Sequence, residues 1–226
     1  MGDRISFDFS GSGPQVEGNI NMTLNATQCG VCYAMKALLD PDITNNQGVI
    51  EVMEMIAPKG TITNCTYPSA VALRANSSQR VVDVVMGALA DVLPENVIGA
   101  ANGSNTSAVF SGKCQRTGAD YVYLETPRGG MGGRSDRDGK DGVQVDVTNT
   151  SNLPIEAIEM EYPLRIEEYG LVPDSGGAGQ YRGDLGLKRV IHPVGHKCNF
   201  PGLASVSDID HGAYLGARLD VAADSY

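Results

Sequence analysis

Four short polar segments hold the residue types from which a site could be built. Asp8-Phe9-Ser10-Gly11 sets a carboxylate and a hydroxyl beside the loop Ser10-Gly11-Ser12-Gly13-Pro14. Strand ends that meet loops often carry binding groups, although Asp and Ser also cap turns. Ser77-Ser78-Gln79-Arg80 stands at the head of an apolar helical run. A helix start there offers backbone N–H groups and a guanidinium to an anion, and an ordinary N-cap uses the same residues. Gly129-Gly130-Met131-Gly132-Gly133-Arg134 leads into Asp136-Arg137-Asp138-Gly139-Lys140-Asp141-Gly142, the richest polar stretch of the chain. Glycines of this density let backbone approach a ligand or a neighbouring segment closely. The segment is neither a P-loop nor a dinucleotide fingerprint, and it lacks the closing Glu of a calcium loop. Asp174 to Gly186 is a second glycine-rich stretch, suited to a tight reversal between strands.

Histidine and cysteine give less. His192 and His196 are four apart, but Pro193 between them spoils a helical zinc pair, and His211 stands alone. Cys29-Gly30-Val31-Cys32 lies in an apolar helical segment without further ligands nearby, so it reads as two buried thiols. No metal site is expected in this chain.

The elements that must hold these residues follow from periodicity. Ile5 to Phe9 alternates apolar and polar, as a half-buried strand does. Leu24 to Leu39 carries a broad apolar face and is followed by Pro41, which predicts a helix. Val49 to Ala57 reads as a strand. Ser77 to Leu93 reads as a second helix, capped by Ser77 or Ser78 and stopped by Pro94. Tyr121 to Glu125, Val143 to Val147 and Leu187 to Val194 read as strands, and Ile155 to Tyr169 alternates in part. Helices come first and strands later, which predicts an α+β fold: N-terminal helices packed with a mixed sheet, then a strand-rich half. The expected parts are residues 1–110 and 111–226, or one continuous domain.

Composition bounds the function classes. The 226 residues are 42% hydrophobic and carry a net charge of −10, with the acidic residues scattered. That is the profile of a folded globular protein without the basic face a nucleic-acid partner requires. No apolar run approaches the roughly 18 residues of a membrane span. The start, Met1-Gly2-Asp3-Arg4, is not a signal peptide. The expectation is a cytoplasmic protein with neither a nucleic-acid nor a membrane partner.

Taken in order, the segments resemble the hydantoinase B family, which includes N-methylhydantoinase subunits, the matching half of 5-oxoprolinase and ketone carboxylase subunits. The resemblance is carried by Asp8-Phe9-Ser10-Gly11, Ala34 to Asp42, Ser78 to Asp83, Leu124-Glu125-Thr126 and Gly129 to Gly133. It continues through Gly139 to Val143, Thr148-Asn149-Thr150, Glu161 to Arg165 and Asp174 to Gly186. It implies a heteromeric, ATP-dependent enzyme that opens a cyclic amide, with ATP on a hydantoinase A-type partner subunit. A ketone carboxylase subunit and a non-catalytic assembly module are the alternatives. The family's metal ligands lie upstream of the Asp8 segment, so a divalent metal belongs to the complex and this chain alone is expected to be inactive. Motif position nominates Asp146, Asp8 and Asn149 as catalytic, with Asp146 the base. It nominates Ser10, Gln79, Arg80, Arg134, Asp138 and Asp141 as substrate-binding, with Arg80 and Arg134 on anionic groups. Two departures stand out. Gln144 and Asp146 occupy positions where relatives carry the two histidines of His-Thr-His-Met, and Arg74 to Ser77 replaces Asn-Val-Glu-Thr.

Overall fold

A computed structural model describes residues 4–127 and 129–200, and the backbone of a short strand at 218–221. His211 lies outside the described residues. The chain forms two compact units, Met1–Val97 and Ile98–Tyr226.

In the first unit, β1 (Ile5–Asp8) pairs in parallel with β2 (Met53–Ile56). A parallel pair needs a crossover, and α1 (Leu24–Leu39) and α2 (Gln47–Glu51) supply it. The third helix, α3 (Arg74–Leu89), follows. The predicted alternation of β1 holds: Ile5 and Phe7 are half-buried, while Ser6 and Asp8 face out. Helix α1 runs over the predicted residues because Thr27, Gly30, Val31, Ala34, Met35 and Leu38 form one buried stripe at helical spacing. It crosses α3 closely at Gly30, where an added Cβ would sit 3.2 Å from Val81 Cγ1. On α3, Val81, Val82, Val85 and Met86 are buried.

Three expectations for this unit are corrected. The strand expected over Val49 to Ala57 is divided, because Asn46 Oδ1 accepts from the Gly48 N–H at 2.8 Å and caps α2 before β2 begins. Helix α3 starts three residues early and has no side-chain cap at Leu73. Ser77 instead donates its hydroxyl to the Ile20 carbonyl at 2.6 Å. The Cys29-Cys32 pair is not buried: Cys29 is exposed and Cys32 half-buried, because both fall off the stripe that faces α3.

In the second unit, β3 (Ala108–Lys113) and β4 (Asp120–Glu125) form an antiparallel hairpin. Helix α4 (Ile155–Glu161) precedes β5 (Leu164–Leu171). Strand β5 pairs antiparallel with β6 (Leu187–Pro193), which pairs in parallel with β7 (Arg218–Val221). The core gathers Ala108, Phe110, Tyr123, Ile158, Leu164 and Ile191. Strand β3 is not predicted by the sequence pattern. Ser111 and Gly112 blur its alternation, and only Ala108 and Phe110 turn fully inward. The strand expected over Val143 to Val147 is absent. Gly142 and Asp146 both take φ of 57°, which bends the chain out of any ladder, and the Thr148 N–H closes a turn on the Val145 carbonyl. The partial alternation of Ile155 to Tyr169 resolves into α4 and β5, separated at Tyr162-Pro163. The architecture is α+β, as expected.

Candidate functional site

The two glycine-rich segments of the second unit fold against each other. Asp141 accepts two parallel bonds from Arg182, Nη1 to Oδ1 at 2.8 Å and Nη2 to Oδ2 at 3.0 Å, and its Oδ1 also takes the Leu185 N–H at 2.7 Å. This bidentate pairing with Arg182, first of all, holds the Asp141 carboxyl below the usual range. Asp138 Oδ1 accepts the Arg182 N–H at 2.9 Å. Backbone bonds from Gly139 to Arg182 and from Asp184 to Met131 complete the clasp. Two of the nominated substrate-binding residues, Asp138 and Asp141, thus spend their carboxylates on the opposite loop. The approach is too close for side chains. A Cβ on Gly132 would sit 1.9 Å from the Gly99 carbonyl oxygen.

The clasp shapes a pocket of about 290 Å3, bordered by Asn102, Arg134, Tyr181 and Asp184 together with residues 99–101, 132–133 and 177–178. Arg134 is a nominated residue, and Asp184 is not. Burial, aided by the charge of Asp141, pushes the Asp184 carboxyl up to about 6. Arg134 and Asp184 give this pocket one cation and one carboxyl that can change protonation near neutral pH. That combination can orient a small polar ligand and exchange a proton with it.

The sign of the Asp184 effect follows from its shift. Below about pH 4 the group is protonated both folded and unfolded, and its ionisation costs nothing. Between about pH 4 and 6 the unfolded chain ionises first, so folding is progressively opposed, and above about 6 the opposition is complete. The Asp184→Asn variant should therefore gain stability over the parent as pH rises from 4 to 6, with the gain then level. Thermal unfolding of both proteins from pH 4 to 8 measures it, and a difference that stays flat with pH would contradict the assignment.

The first unit brings together two other nominated residues. Asp8 and Arg80 border a pocket of about 470 Å3 whose walls are mainly apolar: Phe9, Ile20, Met22, Ile62, Val81 and Val84. The Ser10 side chain first, and then its N–H, which donates to Asp8 Oδ1 at 2.8 Å, lower the Asp8 pKa by hydrogen bonding its carboxylate. Arg80 lies 3.6 Å from Asp83, whose carboxyl burial pushes up to about 6. Gln79 is 1% exposed, among the buried residues of α3, and does not border the pocket. The anion site expected at Ser77 to Arg80 is not a helix start, since α3 begins at Arg74.

Asp146 is half-buried and Asn149 exposed, and neither borders either pocket. Gln144, at one of the departing positions, donates to the Thr126 carbonyl at 3.0 Å. His196 bonds Tyr121 Oη through Nε2 at 2.6 Å. Among the described residues no group of three or more His, Cys, Asp or Glu side chains is placed to hold a metal, and no helix is long and apolar enough to cross a membrane.

Comparison with known proteins gives these pockets a context. The profile of the family described as Hydantoinase B/oxoprolinase matches residues 1–207. The B-type subunit of a putative D-/L-hydantoinase from a Pseudomonas strain is 36% identical over 197 residues, covering 84% of this chain and 33% of that protein. The 5-oxoprolinase 1 of Arabidopsis thaliana is 33% identical over 187 residues, covering 82% of this chain and 14% of that protein. The crystal structure of the ATP-dependent caprolactamase from Pseudomonas jessenii superposes with a TM-score of 0.68 at 25% identity, covering 77% of this chain and 31% of that one. The chain thus spans a third or less of the length of these relatives. With a family profile matched over most of its length, the chain belongs to the hydantoinase B/oxoprolinase family.

Proposed function

We propose that this chain is part of the hydantoinase B-type subunit of an ATP-dependent cyclic amidohydrolase, working beside an ATP-binding hydantoinase A-type subunit. The observation that carries the reading is the continuous family match, joined to relatives whose names, hydantoinase, 5-oxoprolinase and caprolactamase, all denote opening of a ring amide. An amide carbonyl is a poor electrophile. Transfer of the γ-phosphoryl of ATP to its oxygen gives a phosphorylated imidate and ADP. Water then adds at that carbon and the C–N bond breaks, with the nitrogen taking a proton. The acyl phosphate left behind is hydrolysed by a second water. A divalent metal in the complex would neutralise the phosphates.

Within this scheme the chain contributes polar groups that orient and exchange protons with the substrate. Arg134 and Asp184 are the pair offered by the pocket of the second unit, beside the motif-nominated Asp146 and Asn149. The test is ADP release by the subunit carrying this chain together with its ATP-binding partner, over a panel of hydantoins, lactams and ketones. ADP release that requires both subunits and a cyclic amide, and is indifferent to bicarbonate, is expected. Incorporation of label from bicarbonate would instead make the complex a carboxylase. Full turnover by the partner without this chain would reduce it to an assembly module.

A further inference from the structure

The apolar pocket of the first unit is not used by the phosphoryl chemistry above. We propose that it holds a small uncharged ring bearing a carbonyl, a lactam before it is opened, with the Ser12 hydroxyl donating to the carbonyl oxygen and the methylenes packed on the apolar wall. The pocket alone carries the chemistry of the ligand. Its identity as a lactam rests on the reading of the enzyme as a cyclic amidohydrolase.

Phe9, Ile20, Met22, Ile62, Val81 and Val84 form the wall, and the volume of about 470 Å3 suits a small molecule. Met22 and Val81 are buried, whereas Ile20 is 36% and Val84 61% exposed. A hydrocarbon ring laid on Ile20 and Val84 takes that apolar area out of water, which drives binding without any charge. The charges that border the pocket are committed within the protein. Asp8 is held by Ser10, and Arg80 by Asp83 and a further interaction. Ser77 is committed as well, to the Ile20 carbonyl. Ser12 differs from these. It borders the pocket, and its oxygen accepts the Thr63 hydroxyl at 3.1 Å. A hydroxyl that accepts still has its own proton to give, and among the described residues the Ser12 hydroxyl donates to no acceptor. One neutral donor in an apolar surround matches one carbonyl on a hydrocarbon ring. It does not match an ion, because an ammonium or a carboxylate would surrender its hydration to a wall that returns a single hydrogen bond. Hydrolysis of a lactam creates both of those ions on one chain, so the pocket that retains the ring releases the amino acid.

The test is calorimetric titration of the subunit carrying this chain with caprolactam, cycloheptanone and 6-aminohexanoate. Caprolactam is expected to bind, and cycloheptanone, which keeps the ring and the carbonyl, should bind within about threefold of it. The amino acid should be at least about tenfold weaker. Ser12→Ala should weaken both rings by about three- to tenfold, and Ser12→Thr, which keeps a hydroxyl, should restore most of the loss. Val84 is exposed on α3, so Val84→Asp should fold normally and weaken both rings by about tenfold through the lost wall. It keeps the proposal testable if the Ser12 variants do not fold. Amino acid bound as tightly as lactam, ring binding undiminished in Ser12→Ala or in Val84→Asp, or no binding of either ring would overturn the proposal. Failure of ring binding here with ring opening intact in the two-subunit assay removes this pocket's role and leaves the enzyme reading standing. Ring binding here without ATP-dependent ring opening removes the enzyme reading instead and leaves a site for uncharged carbonyl compounds.

Discussion

Replacing Arg189 with Met should destabilise the chain by about 3–5 kcal/mol, the usual consequence of stranding one buried charge. Arg189 is 3% exposed and Glu125 6%, and Arg189 Nη1 bonds Glu125 Oε1. Tyr123 donates its hydroxyl to the other carboxylate oxygen at 2.9 Å, and the Arg189 guanidinium lies 4.0 Å over the Tyr169 ring. Without Arg189 the Glu125 carboxylate keeps one neutral donor and no counter-charge. The pair itself is not strongly stabilising, because Arg189 Nε and Nη2 are buried without hydrogen-bond partners. Neutralising both members should therefore recover most of the loss: Glu125→Gln with Arg189→Met is expected to be more stable than Arg189→Met alone. Urea unfolding of the parent, the Arg189→Met and Glu125→Gln single variants and the double variant decides it. A double variant as unstable as the sum of the singles would contradict the account.

The second large effect is at Gly132. Alanine there places Cβ 1.9 Å from the oxygen and 2.3 Å from the carbon of the Gly99 carbonyl, and backbone cannot rotate away as a side chain can. The Gly99 N–H bond to the Gly133 carbonyl, 2.8 Å, sits in the same contact. A loss of about 3 kcal/mol, at the upper end of overpacking costs, is expected, together with faster amide exchange in the clasped loops. Gly87 supplies the control. It is exposed in α3 with nothing within 4 Å of an added Cβ, so Gly87→Ala should stabilise by about 0.5–1 kcal/mol. A Gly132→Ala variant as stable as its parent would mean that the loops do not approach as described.

These two predictions rest on features the sequence conceals to different degrees. Helix α1 and strands β1 and β6 are legible because a single buried face repeats at one period, as in Thr27, Val31, Ala34 and Leu38 or Leu187, Arg189 and Ile191. Val143 to Val147 alternates as well as β1 does, yet the left-handed φ of Asp146 overrides it, and nothing local announces that angle. Helix α2 hides inside an apolar run because its cap, Asn46, reads equally well as a turn residue. The glycine loops are recognisable as places of close approach, but not what approaches them. Arg182 meets Asp141 from 41 residues further along, a partnership no local pattern encodes. Asp184 escapes for the same reason: its raised pKa comes from burial created by that clasp. An aspartate inside a second glycine-rich stretch is the one available signal. At Asp8 and Arg80 motif reasoning selects residues that do share a pocket, although Arg80 acts from within α3 and not from its start.

The most direct test of the enzyme reading is the mass of the product. The complete two-subunit complex would be given ATP and a cyclic amide in 18O-labelled water, with 13C-bicarbonate present. The account predicts a ring-opened amino acid whose new carboxylate carries at least one oxygen from water and no carbon from bicarbonate. A product lengthened by one labelled carbon, or ring opening that proceeds equally well without ATP, would contradict it.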